Sequence, residues 1–104
     1  GDCFVISICP SDGLDNPTII GAQAANDLLN VEGIKASFVL TEYNDTIYVS
    51  ARAIDEVNVQ MIMERLGGGG HLNTAGAQFQ HTDMEEAIAN LKEIIDEMIA
   101  EGDI

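Results

Sequence analysis

The alternation of apolar and polar residues along the chain predicts short strands and helices. Runs rich in β-branched and aromatic residues are typical of strands. The predicted strands, in chain order, are 3–9, 34–43, 46–54 and 75–80. A turn at 44–45 joins the second and third of them into a β-hairpin. Because side chains alternate between the faces of a strand, Ser50 and Arg52 are predicted to share one face.

The first two predicted helices begin at residues that favour helix N-termini. Asn16 precedes Pro17 as an N-cap followed by proline at the first helical position, and the helix ends before Gly33. Asn58 is the predicted N-cap of the second helix, which ends at Gly67. The predicted buried stripes are Ile20, Ala24, Leu28 and Leu29 in the first helix, and Val59, Ile62, Met63 and Leu66 in the second.

The last predicted helix follows a capping box formed by Thr82 and Glu85. Its predicted buried stripe is Met84, Ile88, Leu91, Ile95 and Met98, and its acidic residues lie largely off that stripe, as on a solvated face. Strands and helices alternate along the whole chain. This order predicts one α/β domain over residues 1–104, with a mixed sheet of four to five strands covered by three helices.

The composition and the charge of the chain limit the kinds of molecule that it is expected to bind. Apolar residues make up 46% of the chain, and no apolar run approaches the roughly 18 residues of a membrane span. The chain has 18 acidic residues against four basic ones, a net charge of −14. Long nucleic acids and anionic membranes are bound by clustered Lys and Arg, so neither is an expected partner. A small anionic ligand held locally remains compatible with this charge.

The segment RLGGGGHLNTAG at 65–76 carries the candidate chemistry. Gly67 alone suffices to end the preceding helix, so the glycines at 68–70 need another reason. Two explanations of these glycines remain open. They form either a tight or flexible turn, or a loop whose N–H groups make a nest for an anion. His71 could hold a phosphate oxygen or transfer a proton, although a lone histidine is more often structural or exposed. His81 is expected at the surface, and neither histidine has metal-ligand spacing around it.

Residues 50–79, SARAIDEVNVQMIMERLGGGGHLNTAGAQF, resemble the substrate-binding domain that accompanies the Asp-His-His (DHH) phosphoesterase domain. Within that superfamily, S-A-R, the Asn58-Val59 helix start and LGGGGHLNTAG are most similar to bacterial cyclic di-AMP phosphodiesterases. The motif region covers about a third of the chain, and the flanking pattern fits the rest. The resemblance implies a fragment of a larger protein, in which a DHH domain holds two divalent metals, usually manganese. The present domain would close over the nucleotide.

The resemblance also implies roles for individual residues. His71 is implied to be catalytic, holding or protonating a phosphate oxygen, and Arg52 is implied to contact a phosphate. The implied substrate-binding residues are Arg52, Gly68, Gly69, Gly70, His71, Asn73 and Thr74, of which Asn73 and Thr74 only adjoin the motif. Ala53 departs from the serine often found after the arginine. The Asp-His-His motif is absent, so the metals and the attacking water are expected from the DHH domain, and the isolated chain is expected to be inactive.

The preferred hypothesis is the nucleotide-binding domain of a phosphodiesterase that hydrolyses cyclic di-AMP to pApA. The nearest alternative is an oligoribonuclease or 3′,5′-bisphosphate nucleotidase of the same superfamily. A non-catalytic regulatory module that binds nucleotides, and a structural dimerisation domain, are the other classes. The expected partners are a small nucleotide (cyclic di-AMP, pApA or a short oligonucleotide) and the DHH domain of the same polypeptide, with a homodimer left open. The resemblance implies a cytoplasmic domain whose parent protein can carry a membrane anchor.

Overall fold

The computed structural model describes residues 4–9, 17–43, 45–54 and 57–102. Its strands are β1 (Phe4–Ile8), β2 (Ala36–Tyr43), β3 (Thr46–Ala53), β4 (Gly69–Gly70) and β5 (Thr74–Gln80). Its helices are α1 (Pro17–Leu28), α2 (Val59–Arg65) and α3 (Met84–Glu101). The predicted fold class is confirmed, because a five-stranded mixed sheet packs with these three helices in one α/β domain.

The sheet has the strand order β1-β2-β3-β5-β4. β1 and β2 are parallel and are connected through α1, whereas every other neighbouring pair is antiparallel. β2 and β3 form the predicted hairpin. β4 was not predicted as a strand, because its two residues are both glycine, which is depleted in strands. It forms one edge of the sheet by pairing with β5.

One face of the sheet carries the hydrophobic core, beneath α2 and α3. β3 follows the period-two pattern of a half-buried strand, with every second residue buried. The core cluster is Ala36, Phe38, Leu40, Ile47, Val49, Ala51, Ala53, Val57, Val59, Ile62, Met63, Ala75, Ala77, Ala87, Leu91, Ile95 and Met98. The predicted stripe of α3 is confirmed at its last three positions, whereas Met84 and Ile88 are only partly buried.

α1 packs on the opposite face of the sheet, over β2 and β3. Its contact surface is made by small residues, since Gly21 and Ala25 are buried. The Ser37 hydroxyl donates a hydrogen bond of 2.6 Å to the Ala25 carbonyl, which holds the helix close to β2. The prediction that Ile20 belongs to the buried stripe is wrong, because Ile20 is 37% exposed. α1 approaches the sheet through the neighbouring Gly21, where a Cβ would lie 2.8 Å from the Thr41 hydroxyl oxygen.

Two helix N-termini test the predicted caps. Asn58 is confirmed as the N-cap of α2, because its side-chain oxygen accepts from the backbone N–H of Met61 at 3.1 Å. The prediction of a capping box at Thr82 and Glu85 for α3 is wrong. Asp83 is the N-cap, accepting from the N–H of Glu86 at 2.8 Å, while Thr82 donates to the Gln80 carbonyl. The predicted cap Asn16 lies outside the described residues.

Candidate functional site

The first two glycines of the run have structural roles at the end of α2. Gly67 adopts a left-handed φ of +87°, and its N–H donates to the Glu64 carbonyl at 3.0 Å. Gly67 therefore follows the C-cap Leu66 as the left-handed residue that ends the helix, as predicted. Gly68 donates to the Met63 carbonyl at 2.8 Å, and a Cβ there would lie 2.1 Å from the Gly76 carbonyl oxygen. Gly68 is required because the chain crosses the β5 backbone too closely for any side chain.

The other two glycines form β4, so the glycine segment is an edge strand rather than only a loop. Gly70 has a φ of +143°, and a Cβ there would lie 2.6 Å from the Thr74 carbonyl oxygen. Gly69 differs, because it has no left-handed φ and a Cβ would meet nothing within 4 Å. Among the four glycines, Gly69 alone has neither a conformational nor a packing reason in this structure.

A tight turn at 71–74 connects β4 to β5. The His71 N–H donates to the Thr74 carbonyl at 2.7 Å, and the Thr74 N–H donates back at 3.3 Å. The Asn73 amide donates to the Val57 carbonyl at 3.3 Å, and the Asn73 carbonyl accepts from the Ala53 N–H at 3.0 Å. The turn is thus fixed to the ends of β3 and α2. His71, the first residue of this turn, is exposed.

Cross-strand pairing places the candidate residues in a row. Arg52 on β3 lies opposite Thr74 on β5, and Thr74 forms the turn pair with His71. Because neighbouring strands lie about 4.8 Å apart, the Cα atoms of His71 and Arg52 are separated by roughly 10 Å. Side chains of directly opposed residues share a face of the sheet. Arg52 and Thr74 therefore project from the polar face, and His71 lies at the end of the same row.

Arg52 is held in a partly dehydrated position. Its guanidinium donates through Nη1 to the Ala51 carbonyl at 2.8 Å, and no carboxylate of the described residues forms an ion pair with it. Burial lowers the pKa of Arg52, because a low-dielectric environment disfavours the charged form. The group nevertheless stays protonated at neutral pH. An anionic ligand would offset this lost hydration, so Arg52 is suited to bind one.

Arg65 provides the contrast within the same chain. It lies on α2 and reaches two carboxylates of α3, Glu101 at 3.1 Å and Glu97 at 3.9 Å. All three side chains are substantially exposed. Arg65 is therefore part of an exposed surface network, whereas Arg52 has its charge on the sheet without such partners.

An open groove of about 630 Å³ lies on the polar face beside the row that holds Arg52. It is lined by Tyr48, Val49, Ser50, Gly67, Gly68, Gly76, Ala77, Gln78 and Gln80. Ser50 lies opposite Gly76, and Tyr48 lies opposite Gln78. Of the predicted site residues, only Gly68 lines this groove. Arg52 lies next to the groove on β3, two residues beyond Ser50.

The comparison with known families decides what kind of domain this is. Residues 1–101 match the DHHA1 domain family. The chain is a DHHA1 domain. This confirms the family predicted from the S-A-R and LGGGGHLNTAG motifs.

The relatives of this DHHA1 domain are longer proteins, and the domain matches only a segment of each. It is 48% identical over 80 residues to the cyclic-di-AMP phosphodiesterase PdeA of Listeria monocytogenes. This match covers 76% of the present chain but only 12% of PdeA. It is 36% identical over 86 residues to the bifunctional oligoribonuclease and PAP phosphatase NrnA of Thermus thermophilus, covering 78% of this chain and 26% of NrnA. The chain therefore spans a minor part of the curated relatives it matches.

A solved structure shares the fold at low sequence identity. An exopolyphosphatase-related protein from Bacteroides fragilis superposes with a TM-score of 0.72 at 21% identity, over 88% of this chain and 29% of that protein. This similarity supports the sheet and helix arrangement alone.

The structure brings some of the predicted site residues together and leaves others apart. Arg52, Thr74 and His71 form one row, whereas Asn73 has its amide engaged in holding the turn. Sequence reasoning missed the groove residues, Tyr48, Gln78 and Gln80. The available signal was the alternation along β3 and β5, which places these polar side chains on the face that carries Arg52.

Two further features of the described residues concern metal ligands and membrane-spanning helices. Within the described part of the chain, no group of three or more His, Cys, Asp and Glu side chains could hold a metal ion. No helix in that part is both long enough and apolar enough to cross a membrane. His81 is exposed as predicted, with a left-handed φ of +56°.

Proposed function

We propose that this DHHA1 domain is the substrate-binding domain of a metal-dependent phosphodiesterase that hydrolyses cyclic di-AMP to linear pApA. The observation that carries the proposal is Arg52, a partly buried cation on the polar face that donates to the Ala51 carbonyl and has no carboxylate partner among the described residues. The 48% identity to a segment of PdeA supports the choice of substrate.

Each residue of the row would contribute a different interaction. Arg52 would hold two oxygens of a phosphate, since its planar guanidinium matches that geometry. His71 would hold or protonate a phosphate oxygen from the exposed turn. Gly69, which lies opposite Gly76 in the next row, leaves the sheet face bare so that the nucleotide can approach the backbone. Thr74 would add a hydroxyl, and Asn73 would chiefly position the turn.

The hydrolysis also needs groups from elsewhere in the parent protein. We expect a DHH domain of the same polypeptide to hold two divalent metals, with manganese as the expected ion, that would supply the attacking water and offset phosphate charge. The described residues offer no ligand set for these metals. The isolated chain is therefore expected to bind nucleotide weakly and to be inactive. A cytoplasmic location remains a prediction.

The similarity to NrnA favours one alternative within the superfamily, an oligoribonuclease or 3′,5′-bisphosphate nucleotidase. The same row of Arg52, Thr74 and His71 could grip the phosphate of a short RNA. We favour the cyclic dinucleotide because the identity is higher for PdeA, at 48% against 36%.

The test is the hydrolysis of three substrates by the full-length parent protein with Mn²⁺. We expect kcat/KM to be higher for cyclic di-AMP than for pApA or RNA dinucleotides. Arg52→Ala should lower kcat/KM for cyclic di-AMP by at least about tenfold, because a charged hydrogen-bond partner is lost. His71→Ala should lower it as well, and Arg65→Ala is the matched control. Normal activity in both Arg52→Ala and His71→Ala would contradict the proposal. A higher kcat/KM for RNA dinucleotides than for cyclic di-AMP would favour the oligoribonuclease alternative.

A further inference from the structure

The groove beside Arg52 differs from the phosphate row in the groups it offers. Its lining includes no Asp, Glu, Lys, Arg or His, although the chain as a whole has a net charge of −14. The polar side chains in the lining are a phenol, a hydroxyl and two carboxamides, from Tyr48, Ser50, Gln78 and Gln80, and the apolar ones are Val49 and Ala77. The lining therefore has no cationic side chain that would neutralise a phosphate, as Arg52 could. The groove is suited to a neutral group that has both apolar surface and hydrogen-bonding atoms.

Two glycines in the lining of the groove favour a flat group, because they leave bare backbone for it to lie on. They are Gly68 and Gly76, and this bare part of the lining is called the floor below. Both glycines are imposed by the fold, since a Cβ at Gly68 would meet the Gly76 carbonyl oxygen at 2.1 Å and a Cβ at Gly76 would meet the Val49 carbonyl oxygen at 2.9 Å. The bare backbone floor is therefore a fixed feature. Tyr48 and Gln78, opposite each other on β3 and β5, lie next to this floor.

The groove residue Tyr48 lies on the same strand and the same face as Arg52. Arg52 and Tyr48 are four residues apart on β3, with Ser50 between them on the same face. At about 3.3 Å per residue they are separated by roughly 13 Å. α1 covers Ser50, since a Cβ at Gly21 would lie 3.5 Å from the Ser50 hydroxyl oxygen, so the open path from Arg52 runs over Thr74 and Gly76 of β5. A nucleotide whose phosphate is held by Arg52 could extend its sugar over Gly76 and place its base beside Tyr48 and Gln78. The groove volume of about 630 Å³ is within the range of small-molecule sites.

We infer that this groove is the subsite for a nucleobase of the bound nucleotide, with Gln78 and Gln80 reading the edge of the base and Tyr48 contacting its ring. Glutamine amides pair with the donor and acceptor of an adenine edge, and aromatic rings stack on bases. The inference rests on the proposed function, which supplies the phosphate at Arg52. It assigns base recognition to residues outside the glycine-histidine motif.

The test is an NMR titration of the 104-residue chain with AMP, ribose 5-phosphate and inorganic phosphate. We expect all three ligands to shift the amides of Arg52 and of residues 69–74, and only AMP to shift those of Tyr48, Gly76 and Gln78. Gln78→Ala should weaken AMP binding by roughly tenfold and leave the affinity for ribose 5-phosphate unchanged. Gln23→Ala, which removes an exposed glutamine of α1, is the matched control.

The outcomes separate this inference from the proposed function. AMP shifts confined to Arg52 and 69–74 would overturn the base subsite and leave the phosphate site standing. Equal loss of affinity for AMP and ribose 5-phosphate in Gln78→Ala would also overturn it, since the residue would then act on the fold rather than on the base. The absence of AMP shifts in both regions would overturn the subsite and count against the proposed phosphate site as well.

Discussion

The two faces of β3 are made by alternate residues of one strand and have opposite characters. Ile47, Val49, Ala51 and Ala53 are buried beneath helices, each less than 7% exposed. Tyr48, Ser50 and Arg52 on the other face are only partly buried. The first face shows a continuous aliphatic cluster, whereas the second shows hydroxyl, phenol and guanidinium groups.

The difference comes from how far each face is covered. α2 and α3 close the first face, but α1 covers β2 and β3 on the second and leaves β4 and β5 open. Burial of apolar surface supplies most of the stability, so the first face can hold the fold. Polar groups on the second face are then available for a ligand. Substitutions on the two faces should accordingly separate stability from binding.

The largest effect is expected in the core. Phe38 is fully buried on β2, and Phe38→Ala should lower the free energy of unfolding by about 3–5 kcal/mol through lost burial and the cavity left behind. Urea unfolding followed by circular dichroism measures this loss. Thr74→Ala, on the exposed part of the polar face, is the control and should change stability by less than about 0.5 kcal/mol. Similar losses for both variants would contradict the division between the faces.

The glycine run offers a comparison of adjacent positions. Gly68→Ala should lower the free energy of unfolding by about 1–3 kcal/mol, because its Cβ would overlap the β5 backbone. Gly69→Ala meets no neighbour and should stay within about 0.5 kcal/mol of the parent. Gly69→Ala should nevertheless weaken pApA binding, measured by NMR titration. Full affinity in that variant would show that the ligand does not approach the Gly69 backbone.

The cap of α3 should have a moderate effect that is confined to stability. Asp83→Ala should lower the free energy of unfolding by about 1 kcal/mol, since the Glu86 N–H loses its acceptor. Thr82→Ala should change it by a few tenths of a kcal/mol only. The reverse order in urea unfolding would restore the capping box at Thr82 and Glu85. Neither variant should alter nucleotide binding.

The smallest effect is expected for the exposed ion pairs of α2 and α3. Arg65→Ala should change the free energy of unfolding by less than about 1 kcal/mol, because exposed pairs gain little in water. Added salt should reduce the difference between this variant and the parent chain. A loss of several kcal/mol that is insensitive to salt would mean that Arg65 acts through packing.

Local patterns in the sequence predicted the parts of the fold that depend on local chemistry. The β2–β3 hairpin, the Asn58 cap and the shared face of Ser50 and Arg52 all follow from alternation and capping. β4 could not be predicted in this way, because Gly69 and Gly70 become a strand only by pairing with β5. The exposure of Ile20 likewise depends on how closely Gly21 approaches the sheet, which is a property of the packed domain.

The candidate site was predicted unevenly for the same reason. The motif predicted Arg52 and His71, and the structure places them at the two ends of one row, with Thr74 between them. The groove beside that row is formed by residues from β3, β5 and the end of α2 that are distant in sequence. No spacing rule joins Tyr48 to Gln78, since only the strand register brings them opposite each other.

The central claim is that the polar face binds the phosphate of a nucleotide through Arg52. The most direct measurement is the affinity of pApA for the chain, by NMR titration, in Arg52→Ala and Arg65→Ala. We predict that Arg52→Ala binds at least about tenfold more weakly, while Arg65→Ala stays within about twofold of the parent chain. Equal affinities in the two variants would contradict the claim, because any contribution of positive charge would then be nonspecific.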